Sequence, residues 1–158
     1  VNDPPSAEFL SRLRPIPTYR DHPATSPADI DGVTPAGEAV SVAIVGSSTP
    51  ILLLFLSSSC LGCLDLWSGT AELRALLPTG LRLVIVTKSP GDEDPAAIAA
   101  LAPLGTEVVM SSPAYGDYRV GGAPFLAVVA GHEVRTEGVA WGVAETSRAT
   151  LQALEGPA

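Results

Sequence analysis

Two stretches of the chain are almost continuously apolar, Ile51 to Ser57 (ILLLFLS) and Leu81 to Thr87 (LRLVIVT). A strand covered on one side alternates apolar and polar residues, whereas an unbroken apolar run of this length reads as a strand buried on both faces. Such strands need cover on both sides, which confines the chain to a layered α/β architecture. The longer uninterrupted run, Ile51 to Leu56, is far too short to span a bilayer.

The punctuation around these runs supplies the other elements. Ala39 to Val45 reads as a first strand, after a Gly- and Pro-rich turn around Gly32 to Gly37. A helix is expected from Cys60 to about Leu77, where Pro78-Thr79-Gly80 stops it. Gly69 in its middle costs about 1 kcal/mol relative to Ala, which predicts a kink or break, with Thr70 capping the second half. Asp94-Pro95 is an N-cap followed by proline in the first turn, and that helix ends by Pro103-Leu104-Gly105. Glu107 to Met110 reads as a short strand and Ser112 to Tyr118 as a turn of helix. Pro124 to Ala130 and Glu133 to Val139 read as a hairpin joined by Gly131-His132. A last helix runs from Val143 to Leu154, ended by Gly156-Pro157. The order predicts an α/β domain over residues 29–158, a central mixed sheet flanked by helices.

Ahead of it, residues 1–28 carry Pro4, Pro5, Pro15, Pro17, Pro23 and Pro27. Proline at that density blocks helices and ladders, so this segment reads as an extended linker or wrap. One short helix, Ser6 to Leu13, is expected within it, with Ser6 as N-cap. The chain opens on Val1 and its only Met is Met110, so the start of the gene product, and any targeting segment, is expected upstream. The hydrophobic fraction of 46% is ample for a core, and 9 Lys and Arg against 17 Asp and Glu leave a net charge of −8. Nucleic acid and anionic membrane surfaces reward a basic face, so both are poor partners for this chain.

The sharpest chemical signal is Cys60-Leu61-Gly62-Cys63, directly after a buried strand and at an expected helix start. Residues at i and i+3 of a helix share a face about 5–6 Å apart, close enough for a disulfide. At a helix N-terminus the first cysteine meets unpaired N–H groups, which favour its thiolate and make it the nucleophile. The second, one turn in, reacts intramolecularly and resolves a mixed disulfide. A zinc site is a rival reading, but the remaining ligand candidates, His22 and His132, are isolated. A structural disulfide or a pair of inert core thiols also fits the spacing. Covalent c-type haem does not, because the residue after Cys63 is Leu64 rather than His. With only two cysteines, a disulfide-rich scaffold is excluded.

A second feature lies downstream, in Tyr118-Arg119-Val120-Gly121-Gly122-Ala123-Pro124-Phe125. A proline opening an apolar strand is tolerated there, and a cis Ala123–Pro124 bond is admissible. The two features in this order identify a resemblance. Leu52 to Trp67 (LLLFLSSSCLGCLDLW) resembles the active-site segment of the thioredoxin superfamily, and Ala114 to Val139 resembles the segment around its cis-proline and closing hairpin. The details are most similar to the extracytoplasmic, membrane-tethered TlpA/ResA-like branch, whose N-terminal hairpin the Asp31-Gly32 and Gly37-Glu38 turns resemble. The likeness spans roughly residues 29 to 156.

That resemblance implies Cys60 as nucleophile, Cys63 as resolving thiol, Pro124 as the cis-proline facing them, and Ala123 as a backbone ledge for an extended substrate segment. It implies a thiol–disulfide oxidoreductase acting on protein thiols and disulfides outside the cytoplasm. No cofactor is implied; a membrane redox partner, a monomeric state and an N-terminal anchor upstream of this chain are. This chain departs from the family where Ser59 stands before the first cysteine in place of a frequent Trp. It also has Leu61-Gly62 between the cysteines without the frequent proline, and Leu54 where thioredoxin carries a buried Asp. These departures leave a second function open: a thioredoxin-fold assembly factor or chaperone, including a maturation role like that of the methylamine-dehydrogenase thioredoxin-like proteins. Among the remaining residues, Lys88, the only Lys, reads as a solvated loop residue on the active-site side. The run Asp92-Glu93-Asp94 reads as serving the helix start. Trp67 and Trp141 read as packing, and His132 as a turn residue.

Overall fold

A computed structural model describes residues 19–20 and 25–155. The expected helix at Ser6 to Leu13 and the terminal Gly156-Pro157 lie outside the described residues. One eight-stranded sheet organises the chain: β1 (Tyr19–Arg20), β2 (Ile30–Val33), β3 (Ala39–Val42), β4 (Ser47–Phe55), β5 (Arg82–Thr87), β6 (Glu107–Met110), β7 (Phe125–Gly131) and β8 (Glu133–Val139). They lie in the order β1-β8-β7-β4-β5-β6-β2-β3. The central strands β4, β5 and β6 are parallel, and every other pairing is antiparallel.

Stepping from β4 to β5 to β6 with right-handed crossovers puts both connections on one face. That face holds the split helix α1 (Leu64–Ser68) and α2 (Thr70–Leu76), α3 (Pro95–Leu101) and the C-terminal α5 (Gly142–Leu154). Leu52, Leu54 and Leu56 point into this layer with Leu66, Trp67, Leu73, Ile98 and Ala149. The alternate residues Ile51, Leu53 and Phe55 point to the other face, covered by α4 (Ser112–Asp117) and residues 30 to 44. Burial on both sides of this strand is thus literal: Ile51 through Leu56 are all 0% exposed. The mixed sheet flanked by helices is the thioredoxin-like fold.

Some local expectations need correction. The helix expected over 60–77 begins instead as a 3₁₀ turn, Leu61–Cys63, and continues as α1; its break at Gly69 is as expected. A Cβ on Gly69 would sit 2.5 Å from Val143 Cγ2 and 2.6 Å from the Asp65 carbonyl oxygen, so glycine lets α5 cross closely at the break. Thr70 does not cap α2. Its buried hydroxyl donates backward to the carbonyls of Leu66 (2.9 Å) and Trp67 (3.0 Å), satisfying the end of α1. Asp31-Gly32 is not a turn but part of strand β2, and the hairpin turn is Thr34 to Glu38. Gly32 is required where β2 crosses β6: a Cβ there would meet the Met110 carbonyl oxygen at 2.3 Å.

Strand β3 stops at Val42, short of the expected Val45, because the next amides are captured by a side chain. Asp29 Oδ1 accepts from the N–H groups of Ile44 (2.8 Å) and Val45 (2.9 Å). At the other edge, Tyr19–Arg20 pair with Gly138 and Glu137 of β8. Thr25, itself buried, donates to Glu137 Oε1 at 3.3 Å.

Candidate active site

The sequence places Cys60 where β4 has ended and the helical segment has not begun. Its backbone is extended (φ −98°, ψ 116°), and its carbonyl accepts from the Cys63 N–H at 3.1 Å, closing one tight turn. This turn leaves the two sulfurs in different surroundings. Cys60 is half-buried, whereas Cys63 is 0% exposed and packs with Leu54, Leu66 and Trp67. Both are free thiols. Burial first, then the hydrogen bond with Cys60, push the Cys63 thiol up to about 12; the charges of Cys60 and Glu93 add to this, and the Ser57 backbone opposes it. A thiol so held is a poor external nucleophile.

The Ala123–Pro124 peptide, cis, leads into β7 alongside β4 and so reaches the cysteines. Cys60 Sγ donates to the Ala123 carbonyl oxygen at 3.5 Å. The buried Pro124 ring lies against Gly62, with Cδ 3.6 Å from where a Cβ would stand. All four residues singled out in the sequence, Cys60, Cys63, Ala123 and Pro124, therefore meet at one place. Around them the surface is apolar and open: Leu61 is 85% exposed, Leu64 is exposed, and Gly121 and Gly122 face solvent.

Sequence reading missed what lies beneath. The expectation that Asp92-Glu93-Asp94 serves the helix start holds for Asp94, which accepts from Ala96 N–H at 3.0 Å. Glu93 instead turns inward and is only 9% exposed. It accepts hydrogen bonds from Ser57 Oγ (2.5 Å), Ser58 Oγ (2.6 Å) and Ser58 N–H (3.4 Å). The signal for it was present in Ser57-Ser58: two half-buried hydroxyls after the buried run Ile51 to Leu56 call for partners. Trp67 packs as expected but also donates its indole N–H to the Ser57 carbonyl at 3.1 Å. Tyr115, likewise unassigned from sequence, donates its hydroxyl to the carbonyls of Leu56 (3.1 Å) and Val86 (3.4 Å). The exposed Lys88 places its ammonium 5.6 Å from that ring's centre. Among the described residues, no group of three or more Cys, His, Asp and Glu is arranged to hold a metal ion.

No family model and no curated protein matches this chain. Solved structures do. StoA from Bacillus subtilis aligns with a TM-score of 0.60 at 18% identity, covering 80% of this chain and 98% of that one. The exposed lipoprotein thioredoxin Etrx1 from Streptococcus pneumoniae aligns with a TM-score of 0.64 at 18% identity, covering 81% and 98%. A secreted Mycobacterium tuberculosis disulfide oxidoreductase homologous to E. coli DsbE aligns at 0.62 and 13% identity, covering 80% and 96%. At these identities the likeness is one of fold, and the fold is thioredoxin-like. Among the described residues, no helix is long and apolar enough to cross a membrane.

Proposed function

We propose that this chain exchanges disulfides with protein partners outside the cytoplasm, with Cys60 as the attacking thiolate and Cys63 as the resolving thiol. The observation that carries this reading is the asymmetry of the pair: a half-buried Cys60 beside a fully buried Cys63, with Ala123 and Pro124 against them. The chemistry follows from that asymmetry. The Cys60 thiolate attacks one sulfur of a substrate disulfide; that S–S bond breaks, a mixed disulfide forms on Cys60, and the first substrate sulfur leaves as a thiolate. Cys63 then attacks Cys60, the internal disulfide closes, and the second substrate sulfur departs with the Cys63 proton. Two electrons pass from the dithiol to the substrate, and the reverse sequence oxidises a substrate dithiol.

Ala123, with Gly121 and Gly122 open beside it, suits an extended substrate segment laid as one added strand. The extracytoplasmic setting and the tether are supported by the secreted and lipoprotein character of the similar structures. The test is chemical trapping. Cys63→Ser stalls the mixed disulfide on Cys60 and captures protein partners through a reducible bond, whereas Cys60→Ser abolishes exchange. A Cys60→Ser protein that exchanges disulfides as fast as the parent overturns the assignment. Stable, thiol-independent partner binding by that variant supports the assembly-factor role instead.

A further inference from the structure

Glu93 stands on a loop secured from behind. The N–H groups of Asp92 and Glu93 both donate to the Ser89 carbonyl (3.0 Å each), forming a tight turn. Ser89 and Ser112 exchange reciprocal N–H to hydroxyl bonds at 2.8 Å, and Ser112 Oγ donates to Asp92 Oδ2 at 2.7 Å. The loop between β5 and α3 is thereby pinned to the start of α4, and from this fixed base the Glu93 carboxylate reaches the segment before Cys60. Ser57 is the junction. Its hydroxyl donates to Glu93, and its carbonyl accepts from Trp67. Ser59 is tied in turn to the Ser57 hydroxyl, through its N–H at 3.2 Å and its own hydroxyl at 3.1 Å.

We propose that Glu93 is a positioning residue for the dithiol: by clamping Ser57 and Ser58, it fixes the segment that sets Cys60 against Cys63 and so favours closure of their disulfide. This rests on the exchange reading above. The bonds to the carboxylate come from Ser57 and Ser58, two of the three residues that precede Cys60, while the site itself has no carboxylate on β4, where Leu54 is packed. Closing the internal disulfide requires the Cys63 sulfur in line with Cys60, and misplacements on the order of 1 Å are costly in such steps.

The equilibrium with glutathione reads this directly: dithiol plus oxidised glutathione gives protein disulfide plus two reduced glutathione molecules, with electrons and protons conserved. Glu93→Ala is expected to lower that equilibrium constant about tenfold, and Glu93→Gln, whose amide oxygen still accepts, to restore it to within about threefold of the parent. Thermal unfolding is measured alongside. A purely structural part for Glu93 lowers the midpoint and leaves the glutathione equilibrium within twofold, which overturns the proposal. If the alanine variant does not fold, Glu93→Asp, one methylene too short to hold both serines, takes its place, and an unchanged equilibrium there is equally fatal. The glutathione measurement needs no protein substrate, so failure of exchange with protein partners and failure of the clamp are seen separately.

Discussion

The Cys60 thiol donates to the Ala123 carbonyl at 3.5 Å, a contact that joins the loop after the first buried strand to the start of β7. On the exchange reading, the same backbone edge is where an added substrate strand would bond, so the nucleophile is parked on its own substrate-binding ledge. A substrate arriving there would bring its disulfide to the sulfur that has been holding the ledge's place.

The difference in burial between the two thiols predicts selective alkylation. Iodoacetamide at pH 8 should modify Cys60 at least about tenfold faster than Cys63, with Cys63 reacting only once the protein is unfolded. Peptide mass mapping of the singly modified protein checks this, and equal labelling of both cysteines would count against the site geometry.

Linkage gives a second expectation. The Cys63 thiol ionises near 9.0 when unconstrained and is held up to about 12 in the fold, so between these values the unfolded chain has released a proton that the folded chain keeps. The slope of stability with pH is then negative. Stability should be unaffected by this group below about pH 9 and fall progressively from about 9 to 12. Urea unfolding of the reduced protein and of Cys63→Ala should diverge in that window, the variant losing less.

Leu61 projects 85% exposed from between the cysteines and supports nothing in the core. Leu61→Asp should therefore change unfolding free energy by less than about 0.5 kcal/mol. Its effect should fall on recognition: slower exchange with protein disulfides, by about three- to tenfold, with exchange against glutathione largely retained. Equal losses with both substrates would remove Leu61 from the docking surface.

Gly69→Ala tests the break between α1 and α2. The added methyl meets Val143 Cγ2 and the Asp65 carbonyl oxygen well inside contact distance, and the second is backbone that cannot swing away. A loss of about 1–3 kcal/mol is expected despite alanine's better helix propensity, measured as a lower urea midpoint at unchanged slope.

Tyr118→Phe tests the fastening of the N-terminal segment. The buried hydroxyl donates to the Ala28 carbonyl and accepts from the Ala28 N–H at 3.0 Å. Its removal should cost about 1–2 kcal/mol and speed amide exchange around residues 28–30 in particular. Unaltered protection there would show that the segment is held by other contacts.

The site's four principal residues were legible because their signals are local. An unbroken apolar run, a Cys-x-x-Cys at the following turn and a proline opening a strand each announce themselves within a few residues. The asymmetry of the thiols followed from the same geometry, one residue at the turn and one inside it. One helix start was equally local, since Asp94 caps α3 as its pairing with Pro95 predicts, whereas the starts at Cys60 and Thr70 were not. Strand β2 escaped because Ile30 to Val33 is only four residues with Gly32 inside, and its cause is the passing backbone of β6 rather than its own propensity.

Glu93 marks the boundary between the two kinds of information. Its neighbours Asp92 and Asp94 act within the loop or the adjoining helix turn and α4, and three consecutive acids look alike in sequence. The hydroxyls of Ser57 and Ser58 required an acceptor, but which acid would supply it depended on the parallel pairing of β4 with β5, which brings the two strand ends side by side. Chain pattern thus determined the layers, the thiol pair and the position of the strand-opening proline, because each depends on burial period or turn chemistry read over a few residues. The acid that holds the segment before Cys60 was decided only by folding, since a hydrogen bond between residues 36 apart leaves no mark in either local pattern.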